Sequence, residues 1–358
     1  MANTEKRTFD RLMVTGGCGF IGSNFIRYLL TETDYSGKII NVDRLTYAGN
    51  PFNLIDIEKK FPESYRFIAA DIGNAKQMDD LFADYQIDAV CHFAAESHVD
   101  RSILEPDPFV QTNIVGTCVL LEISRKYSHQ LKLFHHISTD EVFGSLGDTG
   151  YFTENSPYQP NSPYSASKAA SDHMVCAYGK TYGLPFTLSN CSNNFGPFQF
   201  PEKLIPLMTL NALEYKSLPV YGDGKNVRDW LYVTDHCRAI WTIMTSGKTG
   251  NIYAIGGDAE MQNIEVVKQI CTSLDYLLPS ENKNRLDLIT FVKDRPGHDH
   301  RYAIDCSKIK QTLGWKPVEN FQSGLEKTIS WYIHHKEWVK QVQSGEYRQW
   351  IEKQYLSS

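Results

Sequence analysis

The sequence holds no run of about 18 apolar residues, so it offers no helix able to cross a membrane. It also has no surplus of positive charge: 36 Lys and Arg stand against 42 Asp and Glu, a formal net charge of −6. Without a basic tail or stripe, nucleic acid and anionic membrane surfaces are excluded as main partners. An anionic substrate must then be met by a few placed arginines. The eight cysteines include no Cys-x-x-Cys pair, and Cys18, Cys91 and Cys191 lie in apolar or small-residue runs. They read as reduced structural thiols of a cytoplasmic protein, not as a disulfide frame or a zinc site. The polar stretch Met1–Asp10 does not have the form of a signal peptide. There is no internal repeat and no low-complexity linker. At 42% hydrophobic and 22% charged residues the chain is not a disordered one, and its 358 residues suffice for two domains.

What is present is an alternation. Short β-branched runs at Leu12–Thr15, Lys38–Val42, Tyr65–Ala69, Ala89–Phe93, Leu133–Ser138 and Phe186–Asn190 predict strands. Helix-length segments lie between them, among them Ile21–Thr31, Ala75–Asp84, Phe109–Tyr127 and Ser165–Tyr182. Repeated strand–helix–strand units need crossover connections, so they predict an α/β fold with a doubly wound parallel sheet, a Rossmann domain. After about Asn193 proline and glycine become frequent, and Asn251–Ile255 looks like a return to the main sheet. The expected division is a dinucleotide-binding domain over 8–195 plus 227–257, and a smaller, interleaved mixed α/β substrate domain over 196–226 plus 258–358.

Gly16, Gly19 and Gly22 follow the first strand and open the first helix. Glycines there permit a tight turn, close backbone approach to a pyrophosphate, and close helix–sheet packing, while the helix N-terminus offers N–H groups to the phosphates. Glycine-rich turns also occur for structural reasons, but Asp43 ends the next strand 21 residues beyond Gly22, placed for an adenosine ribose hydroxyl. Asp43 favours NAD, because a carboxylate repels a 2′-phosphate; Arg44 is the dissenting neighbour. Asp71-Ile72, ending the third strand, suits the adenine, although Asp71 could equally cap a helix.

Tyr164 and Lys168 lie four apart, on one face of a helix. A lysine cation favours the phenolate, so the pair suits removal of a hydroxyl proton while hydride leaves the same carbon. Asn113 could support a proton path or only bond backbone, and the two readings weigh equally. The fifth strand runs into Ser138, Thr139, Asp140 and Glu141. Acidic loop residues are usually just solvated. Here the surroundings are apolar and hydroxylic, at the carboxyl end of a parallel strand where ligands bind. Adjacent carboxyls in a partly dry site have their pKa values pushed apart, giving one acid and one base.

These features together resemble the extended, sugar-nucleotide branch of the short-chain dehydrogenase/reductase superfamily, and within it the dTDP-glucose 4,6-dehydratase family. The segments that carry the likeness run from Arg11 to about Trp331 and include Gly16–Gly22, Asp43–Asn50, Ala94–Ser102, Thr139–Glu141, Tyr164–Lys168, Asn193–Pro197, Pro201–Pro206, Arg228–Trp230 and Asp294–His298. Phe195 and Cys18 depart from the pattern, which usually shows tyrosine and often alanine there. The resemblance implies bound NAD held by Gly16, Gly19, Phe20, Ile21, Gly22, Asp43, Arg44, Leu45, Thr46, Asp71, Ile72, Phe93, Ala94, Ala95, Ser97, Thr112, Tyr164, Lys168 and Asn194. It implies dTDP-glucose held by Ser97, Thr139, Asn193, Lys203, Leu204, Pro219, Tyr221, Arg228, Asn263, Arg295 and His298, with Arg228 and Arg295 on the diphosphate. It also implies a homodimer through a four-helix bundle built on Phe109–Tyr127 and Ser165–Tyr182. No metal is expected, since the arginines beside the Asp-x-x-x-His-Asp-His string at 294–300 oppose a cation. The rival readings are a UDP-glucose 4,6-dehydratase, a sugar-nucleotide 4-epimerase, which needs no acid/base couple at C5 and C6, and an NAD-binding sensor without catalysis.

Overall fold

Strands form where β-branched and aromatic residues run together between turn signals, and the structure, a computed structural model, describes residues 6–279, 284–294 and 297–343. Within them the strands are β1 (Arg11–Thr15), β2 (Lys38–Asp43), β3 (Tyr65–Ala69), β4 (Ala89–His92), β5 (Leu133–Thr139), β6 (Phe186–Cys191), β7 (Asn193–Phe195), β8 (Leu218–Tyr221), β9 (Val227–Tyr232), β10 (Asn251–Ile255), β11 (Glu260–Gln262) and β12 (Ile289–Val292). Seven of them make one parallel sheet in the order β10-β6-β5-β4-β1-β2-β3. Every residue of β4, β5 and β6 is buried, as expected of parallel strands covered on both faces by crossover helices. One face packs Phe25, Ile26 and Leu29 against Ile240 and Met244. The other packs Phe82, Leu120, Leu121 and Val175 over Phe134 and Leu188.

β1 has β2 on one side and β4 on the other, so the winding reverses between β1 and β4. A crevice at the carboxyl ends of the strands belongs at such a switch point. A second unit sits beyond β6. It holds the small sheet β11-β9-β7, the pair β12-β8, and a core of Phe195, Met208, Trp230, Ile270 and Leu325. The helix Val233–Ser246 and β10 then return to the main sheet.

Two local expectations need correction. The segment Phe109–Tyr127 is not one α-helix. A turn at Asp107–Phe109 leads into a π-helical stretch, Val110–Gly116, before regular helix resumes over Thr117–Lys126. Competing side-chain bonds hold the wide turn: Asn113 bonds both backbone groups of Glu96 (2.8 and 3.0 Å), and the Thr117 hydroxyl donates to Asn113 O. The helix Ala75–Tyr85 is capped by Asn74, whose side chain accepts from Gln77 N, and not by Asp71, which accepts from Gly73 N in the preceding turn.

Candidate active site

A cavity of about 310 Å³ opens at the switch point. Its floor is the glycine turn. Gly16 has φ +70°, and a Cβ there would lie 2.6 Å from Ala94 N; one on Gly22 would lie 2.4 Å from Gly16 O. Only glycine allows that approach of turn, helix and strand. No side chain caps the helix Phe20–Glu32, so its leading N–H groups are left for an oxyanion. Phe20, Ile21, Thr46, Ile72, Phe93, Ala94, Ala95, Ser97 and Thr112 line the walls. Asp43 lines them too, its carboxylate accepting from Cys18 N (2.9 Å) and Leu45 N (2.8 Å) while burial pushes its pKa up. Arg44 is ion-paired to Asp71 at 3.2 Å, both largely in solvent. Leu45, in the left-handed region at φ +57°, lines instead a neighbouring cavity with Tyr47, Phe52 and Arg101.

Thr139, Asp140, Glu141, Tyr164, Lys168, Asn193, Asn194 and Lys203 close the far wall of the same cavity. β5 ends at Thr139, whose hydroxyl accepts from Glu141 N (3.2 Å) and donates to Asp140 Oδ1 (3.3 Å). The short turn Asp140–Phe143 that follows holds both carboxyls at the sheet end. Asp140 is 2% exposed, and its Oδ2 has no hydrogen-bond partner among the described residues. Burial, with Glu141 and Asp229 nearby, pushes its carboxyl well above the usual range against the pull of Arg228. Burial and its two carboxylate neighbours thus favour the neutral form of Asp140 over the charged one.

Tyr164 and Lys168 project from the helix Pro163–Tyr182, started by a Ser162–Ser165 capping box with Pro163 in its first turn. The sequence argument gives Lys168 the task of lowering the Tyr164 pKa. In the structure the phenol is pushed up instead, by burial first and then by Glu141 and Cys191, with a Thr139 hydrogen bond opposing. The Lys168 ammonium donates to Ile137 O at 2.8 Å and lies 3.4 Å from His136 Nε2. Asn113, left open from sequence, bonds the Glu96 backbone and the Ser167 hydroxyl.

The remaining predicted substrate residues do not line this cavity. Leu204 begins a helix, Pro219 and Tyr221 lie on β8, Arg228 on β9, and Asn263 begins another helix. Tyr221 and Arg228 reach the loop after β12. The Tyr221 and His298 rings meet edge to face at 6.1 Å, Arg228 donates to Asp299 O at 3.0 Å and stacks on Tyr302, and Asn263 N reaches Asn226 O. Asn263 Oδ1 and Asn193 Oδ1 are buried without partners among the described residues. Arg295 lies outside the described residues. Lys203 joins the two groups, donating to Ser97 O at 3.0 Å.

Sequence reasoning missed Glu202. It lines the cavity, is 6% exposed, accepts from the Tyr47 hydroxyl, and has its pKa pushed up to about 7 by burial. The signal was an acid beside Lys203 in an otherwise apolar run.

The sequence pattern of the GDP-mannose 4,6 dehydratase family matches residues 13–328. A dTDP-glucose 4,6-dehydratase from Shigella flexneri is 54% identical over 361 aligned residues, covering 96% of this chain and 99% of its own. Among solved structures, a dTDP-glucose 4,6-dehydratase from Bacillus anthracis in complex with NAD superimposes with a TM-score of 0.84 at 47% identity, covering 93% of this chain and 99% of its own. The NAD-bound enzyme of the same name from Streptomyces venezuelae gives 0.86 at 44% identity, with the same coverage. The glycine cradle, the buried Asp140 beside a second carboxyl and the Tyr/Lys helix are thus set in a chain that belongs to the dTDP-glucose 4,6-dehydratase family.

Proposed function

We propose that this chain converts dTDP-glucose to dTDP-4-keto-6-deoxyglucose, a hydro-lyase reaction run on a tightly held NAD within deoxysugar nucleotide biosynthesis. The observation that carries the reading is a buried Asp140, its Oδ2 unpartnered among the described residues, next to Glu141 in the cavity that also holds Tyr164 and Lys168. A plain 4-epimerase has no use for that couple.

The cavity fits NAD on its own geometry: the Gly16–Gly22 turn is a cradle that a Cβ would fill, Asp43 stands at the end of β2, and Arg44 is neutralised by Asp71. Bound NAD would supply the acceptor for hydride from C4 and the hydride that reduces C6, C5 taking back a proton as C6 is reduced. The chain's own groups do the rest. Tyr164 Oη, as the phenolate that Lys168 must favour against the upward push of burial and Glu141, takes the 4-hydroxyl proton, and Thr139 Oγ1 hydrogen-bonds the reacting oxygen. Lys168 sets the charge behind the phenol and holds the nicotinamide ribose. The 4-ketone acidifies the C5 proton, which Glu141 removes, while Asp140 protonates the departing 6-hydroxyl so that water leaves. Arg228 and Arg295 neutralise the diphosphate, and Tyr221, Asn263 and His298 hold the nucleotide with Pro219 and Leu204.

The protein acts as a homodimer in the cytoplasm. Val115 and Tyr182 are exposed while Val119 and Met174 stay half-buried, whereas Leu120 and Val175 on the same helices fill the core. A second apolar stripe on paired helices is suited to a four-helix bundle across a two-fold axis. Light scattering at micromolar concentration should give twice the 40.8 kDa chain mass; a strict monomer rules the bundle out.

The deciding assay mixes purified protein with dTDP-glucose or UDP-glucose and adds no NAD. A 4-keto-6-deoxy product from dTDP-glucose, with extracted cofactor mostly NAD⁺, is expected. A C4 epimer, product chiefly from UDP-glucose, or no turnover sinks the reading.

A further inference from the structure

Behind the Tyr164/Lys168 pair lies a buried polar group that the mechanism above does not use. Tyr164, Lys168 and Asp172 are successive members of one i, i+4, i+8 row on the helix Pro163–Tyr182. Asp172 is 1% exposed. Its Oδ2 accepts from Ser138 Oγ (2.7 Å), the Tyr158 hydroxyl (2.9 Å) and Asn190 Nδ2 (3.3 Å). Its Oδ1 has no hydrogen bond of its own and lies 3.2 Å from His136 Nε2. The other imidazole nitrogen, Nδ1, has no partner among the described residues. The Ser171 hydroxyl lies 3.3 Å from the same Nε2, so Asp172, Lys168 and Ser171 converge on one imidazole nitrogen. Lys168 Nζ approaches the same Nε2 to 3.4 Å while donating to Ile137 O. A buried ammonium is costly unless a carboxylate answers it. Two cofactor-side carboxyls, Asp140 and Glu141, lie on the other side of Tyr164.

We infer that Asp172 is a positioning residue for the redox pair: its carboxylate, acting across the His136 imidazole, keeps Lys168 charged and its Nζ seated on the Ile137 carbonyl. Three hydrogen bonds from three different segments fix that carboxylate, so its place does not depend on substrate. The titratable and charged groups around it are few. Lys168 and Cys176 face it from its own helix, His136 from β5 and Tyr158 from the loop before the helix; Cys191 on β6 and His92 on β4 face Lys168. His136 is held neutral by burial and by Lys168. Asp172 is therefore the one carboxylate in this group, its pKa raised to about 6 by burial and pulled back by Lys168 and its three donors.

The inference rests on Tyr164 and Lys168 being the redox pair, and its test separates the two. Asp172→Asn keeps the shape and removes the charge. The alkaline limb of kcat against pH should move down by about one unit, as Lys168 loses the charge that holds its proton, with KM for dTDP-glucose unchanged. A soluble Asp172→Asn protein with an unshifted limb overturns the inference, even if its melting temperature falls. Should that variant not fold, Tyr158→Phe decides. It leaves the charge but takes one donor from the carboxylate, so Asp172 protonates more readily and the acid limb should move up. A Tyr158→Phe profile that superimposes on wild type at both limbs overturns the inference. Lys168→Ala is the arm for the reading beneath it: near-normal turnover there sinks the redox pair itself.

Discussion

The two ends of the substrate path are built differently. At the sheet end every group comes from within a few residues of a strand terminus or from one helix face: Gly16 to Gly22 after β1, Asp43 ending β2, Thr139 to Glu141 after β5, and Tyr164 and Lys168 one turn apart. At the lobe end Tyr221, Arg228, Asn263 and His298 come from four segments spread over about eighty residues: Arg228 bonds the Asp299 and His300 carbonyls, Tyr221 meets the His298 ring, and Asn263 N reaches Asn226 O. The sheet end is fixed by the ladder of a parallel sheet and by glycine approach distances. The lobe end is fixed by side chains that reach out to loops. Rigid placement belongs where atoms are transferred; adaptable placement suffices where a nucleotide is only held.

The same contrast decides what could be read from sequence. Glycine spacing, an acid 21 residues on, and a Tyr-x-x-x-Lys row are local patterns with a local physical cause, so Gly16 to Gly22, Asp43, Tyr164 and Lys168 follow from them, whereas Phe93, Ala94, Ala95, Ser97, Thr112 and Asn194 came from the family likeness. Strand ends fell within a residue of expectation at Tyr65–Ala69 and Asn251–Ile255 because period and turn signals agree there. The lobe residues have no shared period, and only family likeness pointed to them. Three further features were not legible for physical reasons. The π-helical stretch depends on Asn113 reaching the backbone of Glu96, a contact between separate segments. Glu202 carries only a weak signal, an acid in an apolar run; its burial against Tyr47 is a contact between separate segments. The upward shift of the Tyr164 phenol is a matter of burial and of Glu141, which no i, i+4 rule contains.

The largest break in the comparison comes from the sheet end. Tyr164→Phe removes the first base, so all chemistry should vanish with it. Glu141→Gln should still oxidise C4, so that near-ultraviolet absorbance of reduced cofactor builds up on adding dTDP-glucose, with little deuterium entering C5 from heavy water. Asp140→Asn should form the ketone and then lose water slowly. Each of the two carboxyl defects should be on the order of 10²–10⁴-fold in turnover. If Glu141→Gln releases product near the wild-type rate, Glu141 is structural and the C5 base lies elsewhere.

The lobe end should respond less, and differently. Arg228 is 5% exposed and bonds the carbonyls of Val227, Asp299 and His300 while stacking on Tyr302. Arg228→Gln removes a charged donor from the diphosphate, a loss of about 1.5–3 kcal/mol, or roughly 10–100-fold in KM for dTDP-glucose. Turnover at saturation should stay within a few fold. The variant also sharpens the comparison, because Arg228 is the lobe residue whose charge reaches Asp140. The arginine favours the ionised form of Asp140 and so holds its pKa down. Without it that pKa rises further, the protonated acid persists to higher pH, and the alkaline limb of the water-loss step, followed in single turnovers, should move up. A purely binding arginine changes KM and leaves that limb alone. A drop in turnover with KM unchanged would mean instead that Arg228 works at the sheet end, and the division between the two ends would fail at that residue.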